Sequence, residues 1–254
     1  MLSVSVVVIT YNEEKNLSRC LASVAGIADE VIVVDSFSTD GTKQIAESFG
    51  ARFVTKAFDG YAKQKSFATG LAKNDWILSL DADEELSVDL RRSISAIRDD
   101  TSTVLFRIPR LTNYCGKWIK HCGWYPDYQG RLYNRRFGAW EEKMVHEFWK
   151  PGTESSNISV LSGDLLHYSF SSIGEHMRKI EKYTELAARE AQTRGRNASV
   201  LKVIFSPVWH FISEYFFKMG FLDGYYGFVI CRLSAYSAFA KYSKIRQYAT
   251  SRTV

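Results

Sequence analysis

A chain of 254 residues with 46% hydrophobic content is long enough to bury a sizeable core, as one large domain or one domain with an appendage. Its net charge of +5 is modest; it gives no sign of nucleic-acid binding, yet suits nucleotide phosphates or anionic lipid headgroups. Cys20, Cys115, Cys122 and Cys231 form no C-x-x-C pair, which argues against a zinc site or redox motif and fits a reduced, cytoplasmic setting.

Met1 leads directly into Leu2-Ser3-Val4-Ser5-Val6-Val7-Val8-Ile9-Thr10. This stretch is too short to span a bilayer and has no basic flank before it, so it reads as a first core strand of a protein that is not secreted. Val4 to Thr10 is β-branched and nearly all apolar, as a strand buried on both faces should be. Asn12 is a good N-cap, Glu13 and Glu14 put negative charge in a first turn, and Leu17, Cys20, Leu21 and Val24 recur at helical spacing up to Gly26. Glu30 to Asp35 reads as a second strand, Lys43 to Phe49 as a helix closed by Gly50, and Arg52 to Thr55 as a third strand. A helix carrying Lys63 and Lys65 is predicted from Asp59 to about Lys73, then a strand that ends at Asp81.

Strand and helix alternating from the start argue for a mostly parallel α/β sheet with right-handed crossovers, flanked by helices. Ligands bind at the carboxyl ends of such strands, so the polar sequences after Thr10, Asp35 and Leu80 are expected to converge on one crevice. No G-x-G-x-x-G follows the first strand, which counts against a dinucleotide-binding Rossmann domain. Asp81 and Asp83, one residue apart at a strand end, can hold Mg²⁺ or Mn²⁺ with positions left for phosphate oxygens. They equally suit the N-terminus of a helix starting near Ser87-Val88-Asp89-Leu90.

Val8-Ile9-Thr10-Tyr11-Asn12-Glu13-Glu14, then Val33-Val34-Asp35-Ser36-Phe37-Ser38-Thr39-Asp40-Gly41-Thr42, then Leu80-Asp81-Ala82-Asp83-Glu84 resemble the ordered signature of family 2 glycosyltransferases. The resemblance implies a GT-A fold and an inverting, metal-dependent enzyme. It implies that Thr10, Tyr11 and Glu13 hold the nucleotide and that Asp35 contacts base or ribose. Asp83 would bind the metal, and Asp81 would support the ribose or the metal. Ser38 and Lys65 complete the donor-side candidates. An acid capping its own loop is the plainer reading of Asp35.

Thr103 to Pro109 reads as another strand. After it, Tyr114, Lys117, Trp118, His121, Trp124 and Tyr125 form either a sugar-stacking acceptor surface or a partly buried hairpin. Trp124-Tyr125-Pro126-Asp127, Arg131-Leu132 and Val145-His146-Glu147 resemble the lipopolysaccharide-core glucosyltransferase subgroup of the family, which tilts the donor towards UDP-glucose and the acceptor towards a lipid-linked glycan. Inverting transfer needs a carboxylate to take the acceptor proton. Glu147, oriented by His146, leads; Asp127 follows, then Glu141 and Glu142, each with a salt-bridge alternative. His167 either completes the metal shell or is a core histidine.

Ser172 is expected to cap a helix running towards Gly195, with Ile173, Met177, Ile180, Leu186 and Ala187 inward and Arg178, Lys179 and Lys182 outward. Residues 1–170 would thus be the catalytic domain, with a nucleotide-sugar half to 100 and an acceptor half beyond it, and 171–254 a helical region. From Val200 to Tyr248 aromatic and apolar residues crowd together without an uninterrupted apolar span. With Lys218, Arg232, Lys241, Lys244 and Arg246 nearby, this suits an amphipathic helix pair on a membrane surface, placing the protein on the inner face of the plasma membrane; a second subunit is the other cover for it. A metal-dependent nucleotidyltransferase and a non-catalytic sugar-nucleotide sensor are the competing functions. The first lacks its glycine-rich loop after Thr10, and the second has no need of an acidic hairpin.

Overall fold

All seven residues of strand β1 (Val4–Thr10) are buried. The computed structural model describes residues 2–143, 146–152 and 157–250, with the side chains of 142, 143 and 146 outside that set. The chain divides into two compact units, Met1–Leu111 with Asp127–Tyr168, and Thr112–Pro126 with Ser169–Val254. The segment 112–126, expected with the acceptor half, belongs instead to the C-terminal unit, because its aromatic side chains pack there.

In the first unit, helices α1 (Leu17–Ser23), α2 (Thr42–Ser48) and α3 (Tyr61–Leu71) alternate with strands β2 (Glu30–Asp35), β3 (Arg52–Thr55) and β4 (Trp76–Asp81). Strand β5 (Glu84–Leu86) and helix α4 (Val88–Ser95), capped by the Ser87 hydroxyl, follow. Then come β6 (Leu105–Tyr114), β7 (Lys117–Ile119), β8 (Asp127–Asn134), β9 (Gly138–Lys143), β10 (His146–Pro151), β11 (Ile158–Val160) and β12 (Leu165–Phe170). The sheet order is β3-β2-β1-β4-β8-β6-β12-β5, with β11 beside β6; β9 and β10 form a separate hairpin. The four strands β3-β2-β1-β4 are parallel throughout, as their alternation with helices requires.

Alternate residues of each central strand enter different cores. Val4, Val6, Val8, Leu78 and Leu80 pack with α1 and α4 on one face. Val7, Ile9, Ile32, Val34 and Ile77 pack with Ala68 of α3 and Trp149 of β10 on the other. A strand covered on both sides has no polar face to show, which is why β1 reads as a continuous apolar run.

The helix after β1 begins at Leu17, not beside Asn12. Asn12 takes a left-handed backbone, φ 53°, a conformation that asparagine tolerates better than most residues. Its side chain accepts the Thr39 N–H at 2.9 Å, tying the loop after β1 to the loop after β2.

In the second unit, β7 pairs back on the end of β6, with Tyr114 opposite Lys117. Tyr114 is fully buried among Trp124, Phe170, His176 and Tyr226, ring centroids 5.4 to 5.9 Å away. This is the hairpin reading of that passage: Tyr114 spends its ring on a core. Helix α5 (Ile173–Thr193) is capped by Ser172, as expected. Its buried face is His176, Ile180, Thr184, Ala188 and Ala191, while Met177 and Leu186 are exposed, so the inward stripe is displaced by about one position. Arg178 and Lys182 are exposed; Lys179 donates to the Ser169 carbonyl at 2.8 Å.

Helix α6 (Val200–Ile212) runs into a π-helical turn, Ser213–Phe217, and a 3₁₀ turn, Gly220–Asp223, before the long α7 (Gly224–Thr250). A Cβ on Gly227 would sit 2.0 Å from the Gly220 carbonyl oxygen, so that approach of α7 requires glycine. Cys122 and Cys231 lie buried with sulfurs 3.6 Å apart, and all four cysteines are free.

Candidate active site

Parallel register brings the strand-end residues to one edge. Thr10 pairs with Asp35, Asp35 with Thr55, and Ile9 with Asp81. This is the carboxyl edge, the side on which open α/β sheets bind ligands. Asp35 is buried and accepts from the Ser38 amide at 2.8 Å and the Ser38 hydroxyl at 2.5 Å. The same hydroxyl accepts the Asn12 amide at 2.7 Å. Asp35 therefore caps its loop and positions Ser38. Glu13 gives its amide to Thr42 and takes the Asn16 side chain at 2.8 Å. Tyr11 is exposed at this edge, and Thr10 Oγ1 is buried without a hydrogen-bond partner among the described residues.

Behind the edge lies a ladder of alternating charge. Glu147 Oε1 is 2.8 Å from Lys65 Nζ, which is 3.0 Å from Asp81 Oδ1. Arg131 bonds Asp81 and, at 2.6 Å, Glu84. Arg110 reaches Glu84 at 3.5 Å and Asp127 at 2.6 Å. Seven groups, from Glu147 to Asp127, thus alternate in sign, and both leading base candidates end the ladder. Lys65 and Glu84 have no exposed side-chain surface, and Arg131 has almost none. Charges so placed persist only when paired.

Burial alone would push the Asp81 carboxyl up, but the adjacent Arg131 and Lys65 outweigh it and hold it well below the usual carboxylate range. Burial alone would likewise push the Arg131 guanidinium down, but Asp81 and Glu84 outweigh it and raise it above its ordinary value. Burial, with Glu84, Asp83 and Asp81 nearby, pushes the Cys20 thiol well up and leaves it an inert core group.

Asp83 follows the strand end, and its Oδ2 lies 3.3 Å from His167 Nε2 on β12. Its carbonyl accepts the Tyr168 amide at 2.9 Å. The two side chains are partly exposed, and His167 Nδ1 is buried without a hydrogen-bond partner among the described residues. No cluster of three His, Cys, Asp or Glu side chains stands ready for a metal among the described residues. Asp83 and His167 nevertheless fit a divalent cation that takes its remaining ligands from water and phosphate oxygens. A histidine in the shell suits Mn²⁺ better than Mg²⁺. Asp81 is already engaged by two side-chain cations, Lys65 and Arg131.

Among the base candidates, Glu147 is partly exposed beside Lys65, and Asp127 is held by both Nε and Nη2 of Arg110. Glu141 is exposed and pairs with Lys150 at 2.9 Å, a surface ion pair. The side chains of Glu142 and His146 lie outside the described residues. Sequence reasoning missed Arg110, had Glu84 only within a motif, and had Arg131 as a motif residue and a salt-bridge partner for the base candidates; nothing in local spacing marks any of the three as partners of Asp81 or Asp127.

The sequence model of the family Glycosyl transferase family 2 matches residues 5–160. An uncharacterised glycosyltransferase of Rickettsia typhi is 33% identical over 97% of this chain and 88% of its own length. The lipopolysaccharide core biosynthesis glycosyltransferase LpsC of Rhizobium meliloti is 30% identical over 97% of this chain and 93% of its own. Among solved structures, Staphylococcus aureus TarS in complex with UDP is 17% identical with a TM-score of 0.48, covering 99% of this chain and 91% of that one. The family match spans both the parallel strands and the hairpin that carries Glu147, and relatives align along nearly the whole length: the chain is a glycosyltransferase of family 2, with the GT-A fold that its motifs imply.

Proposed function

We propose that the protein transfers a hexose, with UDP-glucose the favoured donor, to a hydroxyl of a lipid-linked glycan such as a lipopolysaccharide core, with inversion at the transferred carbon. The observation that carries this reading is the register that sets Thr10, Asp35 and Asp81 on one strand edge, with Asp83 just beyond and a charge ladder running to Glu147. The similarity to LpsC, a lipopolysaccharide core biosynthesis glycosyltransferase, supports the acceptor class.

The nucleotide lies along Thr10, Tyr11, Glu13 and the loop held by Asp35 and Ser38. Asp83 and His167 would hold Mg²⁺ or Mn²⁺, which would offset charge on the departing diphosphate. Glu147 takes the proton of the acceptor hydroxyl as its oxygen attacks C1. The C1–O bond to the diphosphate breaks, and the nucleoside diphosphate leaves with the electron pair. Lys65 holds Glu147 and Asp81 in place, so the base and donor sides share one ammonium group. A lipid-linked acceptor places the work on the inner face of the plasma membrane, with the protein bound peripherally.

Donor hydrolysis and transfer, screened over a panel of nucleotide sugars with Mn²⁺, test the reading. Release of nucleoside diphosphate from a UDP-hexose is expected. Release of pyrophosphate from a sugar phosphate and a nucleoside triphosphate would make it a nucleotidyltransferase instead.

A further inference from the structure

Helix α6 has no buried residue along its 13 positions, although most of them are apolar. Leu201, Phe205 and Trp209 recur every four residues on one face and are 66%, 62% and 61% exposed. The two turns that follow add Phe216, Phe217 and Leu222, also exposed. Consecutive exposed aromatic residues of this kind mark an interaction surface.

The charges around it choose the partner. From Asn197 to Thr250 the acids are Glu214 and Asp223, and both are buried. Asp223 is occupied by the His121 and Lys120 amides and the His121 ring. Lys202, Lys218, Arg232 and Arg246 are exposed. The solvent-facing charge of this region is therefore entirely basic among the described residues. A second copy apposing the same surface would bring like charges together. An anionic lipid surface meets both properties at once: aromatic and aliphatic side chains enter the headgroup boundary while Lys and Arg contact phosphate. The helix, about 20 Å long at 1.5 Å per residue, cannot cross the roughly 30 Å hydrocarbon layer, and no helix among the described residues is long and apolar enough to do so.

We propose that α6 and the turns to Asp223 form an in-plane insertion element that enters one leaflet of an anionic membrane through Phe205, Trp209, Phe217 and Leu222. The inference deepens the lipid-linked acceptor reading and rests on it for its purpose, but its test needs no sugar. Full-length protein is sedimented with phosphatidylcholine vesicles and with vesicles that also contain phosphatidylglycerol, at low and high salt. Binding is expected to the second kind, weakening with salt. The double variant Trp209→Ser, Phe217→Ser should bind roughly tenfold or more weakly, because two aromatic anchors are lost, with unchanged circular dichroism and unchanged donor hydrolysis. Lys202→Glu with Lys218→Glu, which keeps the apolar face, should lose the preference for anionic vesicles. Equal binding by all variants, binding to neither vesicle, or a concentration-dependent dimer abolished by the double variant would overturn the proposal. Loss of donor hydrolysis in the wild type would instead bear on the transfer reading alone.

Discussion

Lys65 Nζ stands 2.8 Å from Glu147 Oε1, although 82 residues separate the two in sequence, and its other carboxylate partner is Asp81. One buried ammonium group thus joins the hairpin β9–β10 to the carboxyl end of β4. Trp140 presents its ring 5.2 Å from the same nitrogen, within cation–π range.

Replacing Lys65 with Met leaves Asp81 and Glu147 without their shared cation. Turnover is expected to fall by about a hundredfold or more, because a general base displaced from its hydroxyl loses most of a contribution worth roughly 10²–10⁴. Lys65→Arg should not rescue it, since a planar fork does not fit a site built round one nitrogen. Steady-state transfer by each variant measures this; normal turnover in Lys65→Met would remove the lysine from the mechanism.

Glu147→Gln and Asp127→Asn separate the two ends of the ladder. With Glu147 as base, its amide variant loses about 10²–10⁴ in kcat with little change in donor KM, and Asp127→Asn retains far more activity. The opposite ranking would move the base to Asp127.

Arg131→Met removes the buried cation shared by Asp81 and Glu84, leaving Asp81 to Lys65 alone and the buried Glu84 to the more distant Arg110. Breaking a buried ion pair on one side costs about 3–5 kcal/mol, or roughly 6–20 °C in melting temperature for a domain of this size. Thermal unfolding followed by circular dichroism reads it directly. A change below about 1 kcal/mol would mean that the network contributes little to stability.

Asp83→Asn acts on a side chain whose contact among the described residues is His167. Stability should therefore change little, while the Mn²⁺ concentration needed for half-maximal transfer rises about tenfold or more, as loss of a ligand predicts. Chelation should abolish wild-type transfer and added Mn²⁺ restore it. Unaltered metal dependence in both Asp83→Asn and His167→Ala would place the cation elsewhere.

Burial, and then the charge of Lys179, push the His176 imidazole down to about 4 from its ordinary 6.5. The folded chain therefore binds this proton less readily than the unfolded chain. Stability from the neutral ring is fully present above about pH 6.5 and is lost as the pH falls towards about 4, by up to about 3 kcal/mol. Urea unfolding at pH 7 and pH 5 should show a larger loss for the wild type than for His176→Gln, which retains an acceptor for the Tyr114 hydroxyl at the 3.0 Å position. Identical losses would assign the acid sensitivity to other groups.

Much of the parallel half was legible without coordinates. β1, β2 and β3 fall on the residues expected, because strands buried on both faces carry their signal locally, in apolar runs bounded by turn residues. Asn12 was misread as a helix cap because a left-handed asparagine and an N-cap use the same side chain. Met177 and Leu186 were placed inward because apolar spacing gives a helix two nearly equivalent stripes, and only neighbours choose between them. Tyr114 and Trp124 looked as suited to stacking a sugar as to filling a core; packing against Phe170, His176 and Tyr226 gives Tyr114 to the core.

The amino-acid sequence by itself determined the family, the strand ends and the acids that stand on them, since each is written within a few consecutive residues. Which of those acids remain available was decided by tertiary structure. Asp81 is neutralised by Lys65 from α3 and Arg131 from β8, while Asp83, two residues on, faces His167. Charge pairing across distant strands depends on sheet order and register, and those follow from burying the whole core together, not from any local pattern.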